Sequence, residues 1–398
     1  MSTEPPRTTE PLRIAMVAPP FYELPPQGYG GIEVVLAKLT DALVSRGHQV
    51  TLIAAGRNGT RAHFRQTYPA AQSLRLGEPL PEVFHAAATA RILDQLDVDV
   101  VHDHTLAGPL LARGRGTPTV VTVHGPLAGE PGEYYRHLGE TVHLVAISDA
   151  QRRWAPDLHW CATVHNAIDP DDLRYCAEKE EWVLFLGRCT PDKGMHLAID
   201  AARESSREIR LAAKCSEPAE KAYFEKEIRP RIGEGVEWLG EVGGEVKTDL
   251  LARARCLLFP IQWEEPFGMV MIEAMASGTP VISMRRGSVP EVVSHGVTGI
   301  VCDEPAELRH AIDVVGRIDP ARCRQEVLRR FTPEVMAAGY EEAYRRVLGR
   351  GQHGAPAAVR RGKERLEAAP RGALSLSAVA ERVVRPLRAD GSTPPLGP

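Results

Sequence analysis

The sequence predicts an α/β protein built from two doubly wound parallel-sheet domains that face each other across a cleft. Short apolar runs typical of buried strands alternate with segments in which apolar residues recur at helical spacing. This alternation occurs in two successive sets, and the periodicity lapses between them at residues 170–181, where charged residues cluster. The length of 398 residues agrees with two or three domains. Ligands of such sheets bind at the carboxyl ends of the strands, so the cleft is the expected functional site.

The first set of elements assigns residues 12–175 to an N-terminal domain. Residues 1–11 are polar, and we expect them to be disordered. Residues 12–18 predict the first strand, and a loop rich in Pro, Tyr and Gly leads from it to a helix over residues 32–45. The same patterns predict four further strands and one helix, which cover residues 48–54, 98–102, 119–124 and 143–147, and residues 82–96, respectively.

The second set assigns residues 176–330 to a C-terminal domain. Its predicted strands cover residues 182–187, 209–214, 236–240 and 256–260, and its predicted helices cover residues 194–204, 219–231 and 246–254. Thr332, Pro333 and Glu334 are typical of a helix start, so we predict a last helix within residues 331–350. We expect the tail, residues 351–398, to be mostly disordered, with a short amphipathic helix near residues 374–387. Contact of this tail with acidic membrane lipids or with a partner is the alternative.

Composition excludes several classes of protein. With 43% apolar and 25% charged residues, the chain is typical of a soluble globular protein. A net charge of −4 creates no basic field for nucleic acid, and no apolar run is long enough to cross a bilayer. The polar N-terminus lacks the apolar core of a signal peptide. Seven scattered cysteines without a Cys-x-x-Cys pair fit free thiols in a reducing cytoplasm, where we expect this protein to work.

The motif EPFGMVMIE, which starts at Glu265, carries the strongest functional signal. It follows the apolar run of residues 256–260, and Pro266 is predicted to open a helix after that strand. A helix N-terminus at the carboxyl end of a strand attracts anions, because its free N–H groups and its dipole face outward. Glu265 and Glu273 would repel a phosphate directly between them, but they can accept hydrogen bonds from sugar hydroxyls on either side of a diphosphate. The motif therefore predicts a nucleotide-sugar pocket.

These residues resemble the signature of the family 4 retaining glycosyltransferases, which share the GT-B fold of two Rossmann-like domains. The resemblance covers roughly residues 12–349, and it implies that the last helix crosses back to the first domain. It also implies that Glu265 contacts the hydroxyls of the transferred sugar and that Glu273 binds the ribose. The backbone that would meet the sugar and the phosphates belongs to Phe267, Gly268, Met269 and Val270.

A glycine-rich segment, Gly-Tyr-Gly-Gly-Ile-Glu, begins at Gly28. It superficially suggests a dinucleotide fingerprint, but Glu33 stands where the third glycine should be, which argues against a nicotinamide dehydrogenase. The resemblance instead assigns Gly30 and Gly31 to a glycine pair that opens the first helix, so that its N-terminus meets the donor diphosphate. A flexible loop that merely needs glycine is the alternative.

The segment LFLGRCTPDKG, residues 184–194, places two cations after a strand. Arg188 stands at the strand end, and Lys193 lies in the turn before the next helix. Two fixed cations would stabilise the negative charge that a departing nucleoside diphosphate gains, without a metal. The resemblance gives both residues this role, and two solvated surface charges are the alternative.

Three further residues complete the predicted site. By resemblance, His124 at a strand end contacts the transferred sugar; a histidine satisfied by backbone groups is the alternative. Asn166 matches a motif that more often reads Asn-Gly, with Ala167 in place of the glycine. Val242 ends a segment similar to the one whose backbone holds the nucleobase, so the sequence does not identify the base. Residues 287–291 resemble a family loop that lines the donor site.

A metal site is the alternative reading of His102 and His104, which flank Asp103. Residues i and i+2 of a strand share a face, so both imidazoles could meet one ion. No third ligand is evident in the sequence, and we predict no metal. An acceptor-site role for Asp103 or His104 stays open.

The sequence thus predicts a retaining glycosyltransferase that moves a hexose-type sugar from a nucleoside diphosphate sugar, UDP- or GDP-linked, by a metal-independent, same-face mechanism. The sugar nucleotide is a co-substrate, and no other cofactor is expected. The acceptor, a glycan, lipid or small molecule, is not identified, although residues 60–81 and 126–138 are expected to shape its site. A peripheral membrane contact stays open. The alternatives are a nucleotide-sugar epimerase or hydrolase of related fold and a non-catalytic sugar-nucleotide-binding protein.

Overall fold

Two parallel β-sheets organise the computed structural model, which describes residues 10–26, 28 and 30–354. The first sheet contains β1 (Arg13–Val17), β2 (Gln49–Ala54), β3 (His63–Gln66), β4 (Val100–Asp103), β5 (Thr119–Val123), β6 (His143–Ala146) and β7 (Trp160–Thr163). The second contains β8 (Val183–Arg188), β9 (Ile209–Lys214), β10 (Val236–Gly240), β11 (Leu257–Phe259), β12 (Val281–Met284) and β13 (Gly299–Cys302). Their spatial orders are β3-β2-β1-β4-β5-β6-β7 and β10-β9-β8-β11-β12-β13. The predicted fold class is confirmed.

Helices connect the strands and cover both sheets. They are α1 (Gly31–Ser45), α2 (Pro79–Leu93), α3 (Glu130–Leu138), α4 (Asp149–Trp154), α5 (Met195–Glu204), α6 (Pro218–Tyr223), α7 (Gly244–Arg253), α8 (Met269–Ala276), α9 (Val289–Val292), α10 (Glu307–Val314), α11 (Pro320–Arg330) and α12 (Pro333–Gly354). Because helices lie on both faces, every residue of β4 and β5 is buried. We call each sheet with the helices packed on it a lobe, N-terminal or C-terminal.

The last helix, α12, returns to the first sheet. Tyr340 and Tyr344 are fully buried in the apolar core that α1 shares with β1, β2, β4 and β5. The Tyr344 hydroxyl lies 2.7 Å from His102 Nδ1, and the Tyr340 hydroxyl lies 2.9 Å from Thr122 Oγ1. The helix that follows the second sheet in sequence therefore belongs to the N-terminal lobe, as the resemblance implies.

Several element boundaries differ from the predictions. Helix α8 begins at Met269 rather than at Pro266, because Gly268 adopts a φ of 76° and turns the chain before the helix starts. The predicted helix over residues 219–231 is broken, because α6 ends at Tyr223 and is followed by a π-helical turn and a 3₁₀ turn that contains Pro230. Helix α12 extends to Gly354, beyond its predicted end at residue 350.

Both lobes belong to one compact unit that ends at His353. The expectations for residues 1–9 and for residues 355–398 concern parts of the chain outside the described residues. Within residues 10–26, 28 and 30–354, no helix combines the length and the apolar composition that crossing a membrane requires.

Candidate active site

Two adjoining cavities lie between the lobes. The large cavity has a volume of about 660 Å³, and the small cavity has a volume of about 200 Å³. Four residues line both cavities, namely Gly31, Glu265, Gly268 and Met269. Because they share these walls, the two cavities form one continuous site.

Strand order explains why this site forms here. The connections reverse direction between β1 and β4 in the first sheet and between β8 and β11 in the second, and ligands of open α/β sheets bind at such switch points. The chain that leaves β1 leads to Gly30, the chain that leaves β8 leads to Lys193, and the chain that leaves β11 leads to Glu265. All three lie at the large cavity.

Each predicted site residue lines one or both cavities. The large cavity is lined by Gly30, Gly31, Arg188, Lys193, Val242, Glu265, Gly268, Met269, Val270 and Glu273. The small cavity is lined by Gly31, His124, Asn166, Glu265, Phe267, Gly268 and Met269. The structure therefore brings all of them together, and their individual roles stay predictions.

Glu265 is held by two donors. Lys193 Nζ lies 2.5 Å from Glu265 Oε2, and the indole Nε1 of Trp263 donates to the same oxygen at 3.0 Å. The ammonium also lies 4.9 Å from the centroid of the Trp263 ring. Both members of the ion pair are largely buried, with side chains 15% and 10% exposed, so the carboxylate is fixed in orientation. No motif in the sequence marks Trp263 for this contact.

Glu273 is paired with a lysine that sequence reasoning missed. Lys247 of α7 places its Nζ 2.7 Å from Glu273 Oε1, and both residues line the large cavity. No local motif marks Lys247, because the contact arises only when α7 and α8 pack side by side. Both glutamates of the EPFGMVMIE motif are thus neutralised by a lysine, and the anion repulsion expected of bare carboxylates is reduced.

Arg188 lines the large cavity, but its guanidinium is also bound to carboxylates. Its Nε donates to Glu220 Oε1 at 2.9 Å, and its Nη2 donates to Glu217 Oε2 at 3.4 Å. Glu217 and Glu220 form the capping box of α6. This pairing fixes the guanidinium at the cavity wall, and it offsets part of the positive field that the sequence analysis assigned to Arg188.

The large cavity is rich in charge of both signs. Its cationic lining residues are Arg188, Lys193, Lys214 and Lys247, and its anionic ones are Glu241, Glu265 and Glu273. The N-termini of α1 and α8, which follow Gly30 and Gly268, open onto the same cavity. Two helix N-termini and fixed cations favour a bound anion such as a diphosphate.

His124 belongs to a buried cluster of imidazoles. Its Nε2 lies 2.9 Å from His104 Nδ1, and the His104 ring lies 4.0 Å from the His102 ring. Burial lowers the pKa of His124 to about 4 and that of His102 to about 3, and it holds the pKa of His104 well below its usual range. His124 therefore faces the small cavity as a neutral imidazole at pH 7, and its partner is His104 rather than the backbone.

Acid should destabilise the fold through these histidines. The pKa of His85 is also lowered by burial, to about 4. Four native imidazoles thus resist protonation while the unfolded chain takes up protons below its ordinary pKa near 6.5, so stability is present above that pH and falls as pH drops toward 4. Each imidazole contributes on the order of 1 kcal/mol per pH unit. Burial also raises the pKa of Asp103 to about 6. Protonation of this carboxyl below that pH favours the native state, so it offsets the loss of stability caused by about one of the four imidazoles.

Urea unfolding between pH 7.5 and pH 5 measures this loss. His85→Gln should reduce the slope of unfolding free energy against pH, because one buried imidazole is removed. His63→Gln is the matched control, since His63 lies exposed on β3. A stability that stays level across this range would contradict the expectation.

The metal alternative for His102 and His104 finds no support in the geometry. His102 already uses both ring nitrogens, because Nε2 contacts Thr122 Oγ1 at 2.8 Å and Nδ1 contacts the Tyr344 hydroxyl at 2.7 Å. In the part of the chain that the structure describes, no group of three or more His, Cys, Asp or Glu side chains is arranged to hold a metal ion.

Asn166 offers an unused acceptor at the small cavity. The residue is 6% exposed, and its Oδ1 is buried without a hydrogen-bond partner among the described residues. A buried polar atom that lacks a partner costs free energy, so Asn166 Oδ1 is a candidate acceptor for a hydrogen bond from a ligand in the small cavity. Replacement of the expected glycine by Ala167 leaves this side chain at the cavity, and Ala167 itself is buried in the core.

The loop of residues 287–291 supports the site but lines neither cavity, contrary to the sequence expectation. Ser288 N donates to Glu265 O at 2.9 Å, so the loop holds the backbone beneath Glu265. Farther along, the Glu291 carboxylate accepts hydrogen bonds from the backbone N–H groups of Asp149 and Ala150, both at 2.9 Å. Glu291 therefore ties the C-terminal lobe to α4 of the N-terminal lobe.

Comparison with known proteins identifies the family. The family model described as Glycosyltransferase Family 4 matches residues 29–172, and the one described as Glycosyl transferases group 1 matches residues 176–322. The crystal structure of AviGT4, a glycosyltransferase involved in Avilamycin A biosynthesis, is 30% identical with a TM-score of 0.65, and the match covers 85% of this chain and 98% of that one. The chain belongs to the group 1 glycosyltransferases of the GT-B type.

This glycosyltransferase is also similar to more distant proteins. The phosphatidyl-myo-inositol mannosyltransferase of Mycobacterium leprae is 26% identical over 392 residues, which span 85% of this chain and 98% of that protein. A glycogen synthase of Mycobacterium tuberculosis is 26% identical over 347 residues, which span 73% of this chain and 82% of that protein. The structure of Anabaena HepE in complex with UDP and glucose shares the fold, with 18% identity, a TM-score of 0.64 and coverage of 83% and 98%.

Proposed function

We propose that this glycosyltransferase transfers a hexose-type sugar from a UDP- or GDP-linked donor to an acceptor hydroxyl with retention of anomeric configuration. The observation that carries the proposal is the large cavity, where two glutamates eight positions apart are each paired with a lysine, next to the N-termini of α1 and α8. A diphosphate fits the helix N-termini and the cations, and sugar hydroxyls fit the two carboxylates. HepE has been solved with UDP-glucose, which supports a uridine donor as the first choice for testing.

The proposed reaction proceeds on one face of the sugar. The bond between the anomeric carbon and the β-phosphate oxygen breaks, and its electron pair moves to that oxygen. The acceptor oxygen attacks from the same side, and its proton passes to the departing phosphate. Lys193, Arg188 and the N–H groups at the start of α8 would stabilise the charge that the phosphate gains, without a metal.

Because His124 is neutral, we assign it to binding of the sugar rather than to proton transfer. A buried imidazole with a pKa of about 4 is uncharged at pH 7 and can exchange hydrogen bonds with sugar hydroxyls at the small cavity. Glu265, oriented by Lys193 and Trp263, would accept hydrogen bonds from the same sugar.

The test is donor binding followed by product analysis. Thermal stabilisation by UDP, GDP and ADP and by their hexose conjugates should identify a donor, since a ligand that binds only the native state raises the melting temperature. With that donor and an acceptor found by mass spectrometry, NMR of the product should show the anomeric configuration of the donor.

Three results would overturn the proposal. An inverted product would exclude the same-face mechanism. Rapid conversion or hydrolysis of the donor without an acceptor would instead indicate an epimerase or a hydrolase, and binding of the donor without turnover over a broad panel of acceptors would indicate a non-catalytic binding protein.

A further inference from the structure

The N-terminal lobe carries a cluster of exposed apolar side chains that packing does not explain. Eight large apolar residues between residues 74 and 111 are 45% to 100% exposed. The other exposed large apolar residues of the described chain lie scattered from Tyr175 to Val335. Single exposed apolar residues are ordinary, whereas a contiguous group marks a binding surface. We call this group of eight the apolar patch.

One face of α2 forms the centre of the apolar patch. Leu80, Val83 and Phe84 stand at positions i, i+3 and i+4, so they share a face of the helix, and all three are exposed. The helix meets the core through other positions, such as His85 and Leu93. An amphipathic helix normally turns its apolar face to the core, so a second apolar face turned to solvent requires another partner.

Two neighbouring segments extend the patch on both sides of α2. Leu74 and Leu76 come from the 3₁₀ turn Ser73–Arg75 and the residue after it, just before the helix. Leu106, Leu110 and Leu111 come from the segment that follows β4. The 3₁₀ turn of this segment, Gly108–Leu111, packs against α2.

The segment after β4 also places the patch beside the small cavity. β4 lies between β1 and β5, whose carboxyl ends lead to Gly31 and His124, and both of these residues line the small cavity. His104, two residues before Leu106, contacts His124 directly at 2.9 Å. One end of the apolar patch, Leu106, therefore lies two residues from a side chain that contacts the wall of the small cavity.

We propose that the apolar patch binds an alkyl or aromatic group of the acceptor, so that the acceptor is an amphipathic molecule with a hydroxyl in the small cavity. This inference rests on the proposed function, since it takes the cleft as the place of transfer. The small cavity, about 200 Å³, is below the roughly 300–1,000 Å³ of pockets that enclose a drug-sized ligand. The remainder of a larger acceptor must therefore lie outside the cavity, on the surface where the patch is found.

Charge favours a single apolar group over a membrane surface as the occupant. Helices that lie on a bilayer carry Lys and Arg on the polar face, which attract anionic lipids. The segments that carry the patch, residues 73–93 and 104–111, contain two arginines, Arg75 and Arg91, against two glutamates, Glu78 and Glu82, and Arg75 is paired with Glu78. A surface without an excess of cations offers an anionic bilayer no electrostatic attraction, but it does not oppose the burial of an uncharged alkyl or aryl group.

A matched pair of ligands tests this inference without need of turnover. Octyl and methyl β-D-glucopyranoside, below the micelle concentration, are titrated by calorimetry into the full-length protein saturated with UDP. The octyl compound should bind at least about 10-fold more tightly, because burial of even two methylenes gives that ratio. The double variant Leu80→Ser/Val83→Ser should lose this advantage, and Val246→Ser/Leu328→Ser, which changes exposed apolar residues outside the patch, should keep it.

Other outcomes overturn the inference and can be told apart from failure of the proposed function. Equal affinity for the two glycosides, or an octyl advantage that survives in Leu80→Ser/Val83→Ser, refutes the acceptor role of the patch while UDP binding stays intact. Flotation with phosphatidylcholine–phosphatidylglycerol vesicles that is lost in the same variant, without any octyl advantage, assigns the patch to a bilayer instead. Absence of binding to any nucleotide would refute the proposed function itself.

Discussion

Replacement of Lys193 by methionine should reduce sugar transfer by about 10²–10³-fold while the protein stays folded. The ammonium lies 2.5 Å from Glu265 Oε2, and both residues line the large cavity. The leaving phosphate of the proposed reaction gains negative charge there, and the variant removes the cation that would stabilise it. Methionine keeps most of the aliphatic length, so the space beside Phe259 and Trp263 stays filled, whereas the cation–π contacts of Nζ with these two rings, at 5.4 and 4.9 Å, are lost with the charge.

The measurement is nucleoside diphosphate release under saturating donor, with melting temperature recorded for each variant. Lys226→Met is the matched control, because Lys226 carries the same charge but its side chain is 82% exposed on the π-helical turn after α6. Glu265→Gln tests the partner, because it keeps the shape and removes the charge. Transfer by Lys193→Met within about threefold of the wild type would mean that Lys193 has no part in stabilising the leaving group.

The parts of the site that could be predicted from sequence are those in which chemistry and position are local. Glu265 and Glu273 stand on either side of one helix start, and the apolar run before them ends at the carboxyl edge of a buried sheet. Gly30 and Gly31 likewise lie at the start of a helix, at the end of the loop that follows β1. At such positions the end of the strand determines where a ligand binds, and the start of the helix determines the direction in which its N–H groups point. A short motif is therefore enough to predict a ligand contact.

Contacts between distant segments could not be predicted. Lys247 meets Glu273 only because α7 packs beside α8, and Arg188 meets Glu220 only because β8 ends near the start of α6. No spacing in the sequence encodes these pairs. The apolar patch was missed for a related reason, since α2 was predicted from its periodicity, and periodicity does not show which of two apolar faces the core will cover.

Gly287→Ala is expected to destabilise the fold by about 3 kcal/mol and to impair transfer in the molecules that remain folded. Gly287 has a φ of 50°, in the left-handed region, and a Cβ at this position would lie 2.2 Å from Glu265 O and 2.4 Å from Glu265 N. The obstacle is backbone, which cannot rotate away as a side chain can. The segment that carries Glu265 must therefore shift.

Gly296→Ala is a control that separates the cost of the left-handed backbone conformation from the cost of the contact with Glu265. Gly296 has a φ of 75°, and a Cβ there meets no atom within 4 Å, so this variant bears only the left-handed backbone cost of about 1 kcal/mol. The free energies of unfolding of the two variants, measured in urea, should differ by about 2 kcal/mol. This difference is the cost of the contact with Glu265.

The activity of these two variants tests whether the backbone position of Glu265 controls the rate of transfer. A shift of about 1 Å in a positioning group can cost about 10²-fold in rate, and Glu265 is held to Lys193 and Trp263 through one carboxylate oxygen. At a temperature where both proteins are fully folded, Gly287→Ala should therefore lose transfer by about that factor, and Gly296→Ala should not. Equal activity in the two variants would show that the backbone of Glu265 moves without effect on its carboxylate, and the loop of residues 287–291 would then serve stability alone.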